Sequence, residues 1–352
     1  MTDERGGVLD EAYERFSRTG PEWGENQLTN HGPMAVEVLV RRGRADVVDG
    51  WVDRYVRRLD ELPRPGDRIT DQTWRAALGD VRRLGDWSAY FEHEVAERPW
   101  RDVLATWWPR LLPGIVAGTT HGVIRVGHVT RALLAGAGSP AMLDELAHGL
   151  AFWAARYQAA PPAAAPDGHL DPAAALAATP RVPDQRGTVA ARFGQFAALD
   201  GWSASVAALR PAREPAEVRE RLADLVTAAT LRYLRRGHAS PVLLVHTATA
   251  PNAVFHTLPA LPQELWTVSL AAVWTATAAI DAAYAPAEPA PRTALPAAPE
   301  SAADALQWAV EHGDEHVIKF TDTAAEVYTR TGDRDALAAA ARIATLIEPA
   351  RA

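Results

Sequence analysis

The stretch PQELWTVSLAAVWTATAAIDAAYA, residues 262–285, is apolar on nearly every side of a helix. A helix without a polar face has to be surrounded by other elements, so this segment predicts a central helix inside the protein. Its alanine-rich part LAAVWTATAAIDAAYA, residues 270–285, is too short and too weakly hydrophobic for a membrane-spanning segment. The stretch therefore predicts the middle of a helical fold that has no membrane partner.

Other segments carry apolar residues at three- and four-residue spacing, which is typical of amphipathic helices. Ser139 and Pro140 suit the N-cap and the first position of one of them, and Gly43 and Gly313 separate helix pairs. Strand-like alternation is scarce, and residues 240–255, which could begin as a strand, are predicted as a helix. The other predicted helical stretches are 35–59, 100–134, 139–158, 215–237, 304–333 and 335–348.

Two stretches rich in proline and alanine, residues 159–185 and 285–301, are predicted as loops. The first is long for a connection within a compact domain, which indicates a lid, an excursion from the fold or disorder. No repeat of fixed period is present. The sequence predicts an all-α protein with a single multi-helix domain over residues 1–352.

Composition excludes several classes of function. The formal net charge is −8 and no basic stripe is present, so nucleic-acid binding is not expected. The absence of cysteine excludes disulfides, thiolate metal ligands and a cysteine nucleophile. The N-terminus MTDERGGVLDEAYERF is charged and lacks an apolar signal core, which predicts a cytoplasmic protein. The phosphate-binding motifs GxGxxG and GxxxxGK[ST] and the GxSxG nucleophile motif do not occur.

Four histidines stand beside small or apolar residues, near predicted helix ends or buried faces. They are His31 in TNHGPM, His121 in GTTHGVIRVGHV, His246 in LLVHTATA and His316 in DEHVIKF. Neutral imidazole binds iron, zinc, copper or nickel, and facing helices can bring distant ligands to one metal. Each histidine alone is better explained as a hydrogen-bonded core or surface residue, and only the four together give a metal site weight. The pattern therefore leaves a metal site and structural histidines both open.

The segments NHGPM, HGVIRVGH, HTATAPNAV and DEHVIK resemble the questin oxidase-like family in their order and spacing. The resemblance extends roughly from Leu9 to Ala341. The family includes fungal enzymes that oxidatively open the ring of anthraquinone-type polyketides, and this chain is similar to its bacterial members. Arg125 stands where fungal relatives often carry a second histidine, a departure that concerns the identity of the substrate.

The resemblance implies one non-heme Fe(II) per chain, held by four histidines and a carboxylated lysine. Carried over to this sequence, the implied metal ligands are His31, His121, His246, His316 and Lys319. Lys319 lies three residues after His316, on the same face of one helical turn. Burial beside Val317, Ile318 and Phe320 would lower the pKa of this lysine, and its neutral amine could then add CO2 to form a carbamate.

His128 and Arg125 are the predicted catalytic residues. His128 lies seven residues after His121, on the same helical face, and is also a candidate substitute ligand. Arg125 is expected to hold a phenolate or carboxylate of the substrate, with a salt bridge to Glu145 as the alternative. The residues expected to orient the ligating imidazoles are Asn30, Thr247 and Asp322.

The resemblance implies an oxidoreductase that uses O2, as a monooxygenase or a dioxygenase, on a small aromatic, anthraquinone-like polyketide. Ring cleavage and a Baeyer–Villiger-type oxidation are both open. No dinucleotide fingerprint supports NADPH binding by this chain. Two other classes stay open: a metal-dependent hydrolase with a carboxylated lysine, and a non-catalytic helical binding protein. A homodimer is also left open.

Overall fold

The structure of the protein, a computed structural model, describes residues 2–25, 27–136 and 138–350. Regular structure in these residues is almost entirely α-helical, with short 3-10 turns between helices. The described strands are a two-residue antiparallel pair, β1 Glu22–Trp23 and β2 Leu28–Thr29. The predicted all-α fold class is therefore confirmed.

The chain divides into two compact units. Among the described residues, unit 1 comprises those within 2–159 and 256–262, and unit 2 comprises 160–255 and 263–350. Each unit buries its own set of apolar side chains. The single domain expected over the whole chain stays a prediction.

Unit 1 is a group of helices around a buried central one. Its described helices are α1 Thr2–Phe16, α2 Gly32–Arg41, α3 Val48–Val56, α4 Trp74–Ala77, α5 Leu84–Glu97, α6 Trp100–Leu111, α7 His121–Ala135 and α8 Pro140–Ala155. α8 is the central helix, since it packs against α1, α5, α6 and α7. Phe91 and Phe152 are fully buried in this core, and burial of each stabilises the fold by about 1.5–3 kcal/mol. Trp108 and Trp153 meet edge to face there, with ring centroids 5.3 Å apart.

Local sequence signals set the helix ends of unit 1. The Ser139 hydroxyl accepts a hydrogen bond from the Met142 amide at 3.2 Å, and Pro140 is the first residue of α8. Gly43 follows α2 with φ +75°, a conformation that glycine adopts without steric cost. The N-cap and the break that the sequence predicts at these positions are both confirmed.

Unit 2 contains the long helix α12 and the buried helix α15. Its described helices are α9 Pro172–Ala178, α10 Val189–Phe193, α11 Trp202–Ala207, α12 Pro215–Arg236, α13 Pro241–Leu244, α14 His246–Thr257, α15 Trp266–Tyr284, α16 Ala302–His312, α17 Glu315–Thr331 and α18 Arg334–Leu346. α12 packs against α9, α15, α17 and α18. The pair α13 and α14 confirms that residues 240–255 are helical.

α15 confirms the central helix that its apolar sequence predicts. Most of its residues are buried, and the fully buried Trp274 donates its indole N–H to the Val206 carbonyl at 2.8 Å. The helical segment Gln263–Tyr284 is longer than the apolar run considered in the sequence, and by length and composition alone it could cross a membrane. However, 67% of its most apolar window is buried within the structure, as in the core helix of a globular protein.

The prediction of a loop over residues 159–185 is wrong in part. Residues 172–178 form α9, because Asp171 caps the Ala174 amide at 2.8 Å and Pro172 occupies the first helical position. Leu176 then packs into the core. These capping signals outweigh a composition that is typical of loops. The second stretch, 285–301, is a loop whose regular structure is a 3-10 turn, Arg292–Ala294.

Candidate metal-binding residues

Two of the predicted ligands in unit 1, His31 and His121, point their imidazoles at each other. Their Nε2 atoms are 2.7 Å apart, and the rings meet edge to face with centroids 4.6 Å apart. Both side chains are buried. His31 is the residue immediately before α2 and His121 is the first residue of α7, so packing of these two helices brings together residues 90 positions apart.

The position of His31 is fixed by the backbone around it. Its amide donates to the Tyr55 hydroxyl at 2.7 Å. The side chain of Asn30 accepts from the Gly32 amide at 2.9 Å and donates to the Gly20 carbonyl at 3.1 Å. A Cβ at Gly32 would lie 2.4 Å from the ring of Phe16, so only glycine fits there without a shift. Asn30 thus holds the turn that carries His31.

A strained turn positions His121. Gly118, Thr119 and Thr120 all have positive φ, at +50°, +56° and +70°. The left-handed conformation costs a non-glycine residue about 1–2 kcal/mol. Two consecutive threonines in this conformation therefore make the backbone of the turn strained. The turn brings the Gly118 carbonyl against Nδ1 of His121. A hydrogen bond from Nδ1–H to this carbonyl favours the tautomer whose Nε2 carries a lone pair.

Two arrangements explain the close approach of the two Nε2 atoms. In one, Nε2–H of His31 donates a hydrogen bond to Nε2 of His121. In the other, both lone pairs bind one cation. First-row metals bind imidazole at about 2.0–2.1 Å, so two adjacent ligands lie about 3 Å apart. The observed 2.7 Å is close to this spacing, and the donor type suits Fe(II). The pair therefore fits part of an iron site.

His128 lies further along α7, in a buried cluster of charges. Its Nδ1 donates to Glu37 of α2 at 2.8 Å. Glu37 also forms a two-pronged ion pair with Arg131, in which Arg131 Nε donates at 2.9 Å. Burial alone would raise the pKa of Glu37, but Arg131 and His128 together lower it to about 2. Glu37 is thus ionised and links α2 to α7. Sequence reasoning missed it, although an acid inside the apolar run MAVEVLV was a signal.

Arg125 forms the salt bridge with Glu145 that the sequence offered as the alternative to a contact with substrate. Its Nε and Nη2 donate to the two carboxylate oxygens of Glu145 on α8, at 2.6 and 2.7 Å. Both side chains are buried. The guanidinium therefore joins α7 to α8, and a contact between Arg125 and substrate stays a prediction.

In unit 2, His316 and Lys319 lie at the start of α17. The Asp314 carboxylate caps this helix by accepting from the amides of His316 at 2.8 Å and Val317 at 3.1 Å. Asp314 Oδ1 also lies 3.4 Å from Nδ1 of His316. Gly313, with φ +77°, ends the preceding helix and confirms the predicted break.

Lys319 is 2% exposed, which is rare for a lysine. Burial lowers its pKa from 10.5 to about 7, and the nearby Glu315 and Asp314 counteract only part of this effect. A large fraction of the side chain is therefore a neutral amine near neutral pH. A neutral amine is the form that can react with CO2.

The remaining predicted ligand, His246, is fully buried and begins α14. Asn252, further along the same helix, donates to Glu326 of α17 at 2.9 Å. This bond ties α14 to the helix that carries His316 and Lys319. Within unit 2, the sequence-predicted residues thus lie on two helices that are joined by a buried polar contact.

All four predicted histidine ligands share one local setting. Each lies at the N-terminus of a helix: before α2, at the first residue of α7 and of α14, and at the second residue of α17. Neutral imidazole is the form that binds metals. As metal ligands, all five predicted residues, Lys319 included, stay a prediction.

These features define an all-α protein with buried imidazoles and a buried lysine of lowered pKa. A model of the questin oxidase-like family matches residues 50–323, most of the chain, so the protein belongs to the questin oxidase-like family. The resemblance seen in the sequence is thereby confirmed. The match includes the predicted ligands from His121 to Lys319, and His31 precedes it. No curated protein matches the chain. Membership supports an oxidative enzyme of polyketide metabolism, an oxidoreductase.

Proposed function

We propose that the protein is a non-heme iron oxygenase that uses O2 to oxidise a small aromatic, anthraquinone-like polyketide. Ring cleavage and a Baeyer–Villiger-type oxidation both fit this proposal. The observation that carries it is the approach of the buried Nε2 atoms of His31 and His121, combined with the tautomer that the Gly118 carbonyl favours. Family membership supports the oxidative part of the proposal.

The proposed ligands are those implied by the family: His31, His121, His246, His316 and the carbamate of Lys319. Burial of each side chain and the lowered pKa of Lys319 support this set. When bound, Fe(II) supplies the one-electron chemistry that O2 needs and that amino-acid side chains lack. The chain's own contribution is to hold imidazoles in the metal-binding tautomer and to exclude water.

Two further residues of α7 have proposed roles. His128 holds a proton at Nδ1 against Glu37, and through Nε2 it would exchange a proton with a phenolic hydroxyl of the substrate. Arg125 would help to position His121, because its ion pair with Glu145 holds α7 against α8 and His121 is the first residue of α7.

The first test is the metal content of the protein after anaerobic loading with Fe(II) and bicarbonate. We expect about one iron per chain in the wild type, and loss of iron in His121→Ala and Lys319→Met. His93→Ala is the matched control, because it removes an exposed imidazole from α5. A 13C-bicarbonate NMR experiment should give a carbamate signal that is absent from Lys319→Met.

Activity separates this proposal from its alternatives. The oxygenase predicts O2 uptake with hydroxylated anthraquinones by the iron-loaded wild type. Zinc or nickel binding with ester or amide hydrolysis and without O2 uptake would establish the hydrolase instead. A wild type that binds no metal after loading, and melts identically with and without chelator, would leave a non-catalytic helical protein.

A further inference from the structure

Unit 2 has a cleft of about 340 Å³ beside the C-terminal end of α12. Its lining includes the apolar side chains of Leu176 of α9, Leu231 of α12 and Pro289. It also includes three arginines of α12, Arg232, Arg235 and Arg236. The cleft thus combines apolar side chains with a cluster of positive charge. Both proline- and alanine-rich stretches contribute to it, through Leu176 and Pro289.

The three arginines differ in how their charge is balanced. Arg232 forms a two-pronged ion pair with the buried Asp281, at 2.7 and 2.8 Å, so its charge is neutralised. Arg235 instead donates from Nε and Nη2 to the Ala290 carbonyl, at 3.2 and 3.1 Å. Arg236 donates from Nη1 to the Pro286 carbonyl at 2.6 Å and, more weakly, to the next carbonyl in the chain. Carbonyl groups are neutral, so these contacts do not balance the charge of either guanidinium group.

The carbonyl contacts also leave hydrogen-bond donors for another molecule. A guanidinium has five N–H donors, and the contacts with carbonyls use two of them in Arg235 and two in Arg236. The same contacts hold both side chains in place. A ligand would therefore meet ordered donors and would not have to immobilise two flexible side chains.

Electrostatics favour an anion in this cleft. Burial lowers the pKa of Arg236, and the nearby Arg232 lowers it further, while Asp281 and Glu288 partly oppose the shift. The chain as a whole carries a net charge of −8, so this positive cluster is opposite in sign to the net charge of the protein. A bound oxyanion would relieve the repulsion between the neighbouring guanidinium groups.

We propose that this cleft binds a small organic anion, with a carboxylate or phosphate group on Arg235 and Arg236 and an apolar body against Leu176, Leu231 and Pro289. The site lies wholly within unit 2 and includes none of the proposed iron ligands. It is therefore independent of the proposed oxygenase function. The anchoring of residues 286–290 by the two arginines is what orders the site.

Calorimetric titration of the full-length protein tests the site. Benzoate and phenyl phosphate are the probes, and they distinguish a carboxylate from a phosphate head group. Inorganic phosphate and benzyl alcohol each lack one half of the ligand. We expect at least one organic anion to bind, and about tenfold weaker binding in Arg235→Gln and Arg236→Gln. Arg186→Gln, which removes a charge from an exposed ion pair, should bind like the wild type.

Three results would overturn the proposal. They are no binding of either organic anion, equal binding by inorganic phosphate and phenyl phosphate, and equal affinity in the wild type and both glutamine variants. Because the two arginines also anchor a loop, the variants could lose structure. A second measurement therefore uses the wild type alone: the bound anion should shift the Nε–H NMR signals of Arg235 and Arg236, and unchanged signals would contradict the site.

Discussion

The two units treat buried charge differently. In unit 1, Glu37 and Glu145 are buried acids, and each faces an arginine of α7 through a two-pronged ion pair. In unit 2, Lys319 is buried to the same degree. Among the described residues, no carboxylate lies within ion-pair distance of its amine, and its pKa falls to about 7. Unit 1 balances these two buried acids, whereas unit 2 contains, besides its balanced pair of Asp281 and Arg232, a titratable amine in its interior.

This difference separates buried charges that stabilise the fold from a buried group that can react. A balanced buried pair joins two helices, and removal of one partner leaves the other as an uncompensated charge. A buried lysine near its pKa lowers stability, but it makes a nucleophilic amine available at neutral pH. The comparison therefore predicts that loss of Glu37 destabilises the protein and that loss of Lys319 stabilises its metal-free form.

The largest expected effect on stability is that of Glu37→Ala. The substitution removes the buried carboxylate that Arg131, itself only 10% exposed, is paired with, and should lower the free energy of unfolding by about 3–5 kcal/mol, measured by urea denaturation at pH 7. Arg186→Ala, in an exposed pair, is the control and should change it by less than about 1 kcal/mol. Equal effects of the two substitutions would show that the buried cluster of unit 1 is not structural.

A smaller and opposite effect is expected for Lys319→Met in metal-free, CO2-free buffer. The folded pKa is about 7 and the unfolded value is 10.5, so the unfolded state holds more protons between these pH values. Wild-type stability should therefore rise with pH over this range. The destabilisation caused by burying Lys319 is largest below pH 7. Lys319→Met should be more stable by about 2–4 kcal/mol at pH 7 and should lose this dependence.

Parallel denaturation curves at pH 7 and pH 9 provide the check. If the wild type and Lys319→Met show the same change between these pH values, the amine of Lys319 is not neutral in the folded protein. The basis for its proposed carbamate would then be lost. Lys319→Arg is a useful second variant, because its charge persists over the whole range and it should be unstable at both pH values.

The smallest expected effect concerns the strained turn before α7. Thr119→Asn should raise stability by about 0.5–1 kcal/mol, because asparagine tolerates positive φ better than a β-branched residue does. Iron affinity should be unchanged, since the turn keeps its shape. Thermal melting and iron titration measure the two quantities. A loss of stability would mean that Thr119 is not strained.

Much of the fold could be predicted from the sequence because its signals are local. Ser139 and Pro140 mark the start of α8, Gly313 separates α16 from α17, and the apolar stretch 262–285 contains α15. α9 was missed because its seven residues lie in a stretch whose proline and alanine content resembles a loop. There the composition of the stretch obscured a short capped helix.

The candidate site could be predicted only in part. The sequence indicated histidines near helix ends, but the approach of His31 to His121 depends on how α2 packs against α7. The positive φ of Thr119 and Thr120 leaves no mark in the sequence, since threonine is not a residue that predicts this conformation. Carboxylates flank His312 in the sequence, a pattern typical of a solvated helix face, yet His312 is buried and its Nε2 bonds the Ile347 carbonyl at 3.0 Å.

The turn at Gly118–Thr120 also limits how this protein can vary in length. His121 is the first residue of α7, so its direction depends on where that helix begins. Inserting or deleting one residue between Leu112 and His121 would turn the imidazole by about 100° around the helix axis or shift it by about 1.5 Å. Surface loops usually tolerate such changes. Family members that keep this histidine should therefore keep the spacing before it, even where their other loops differ in length.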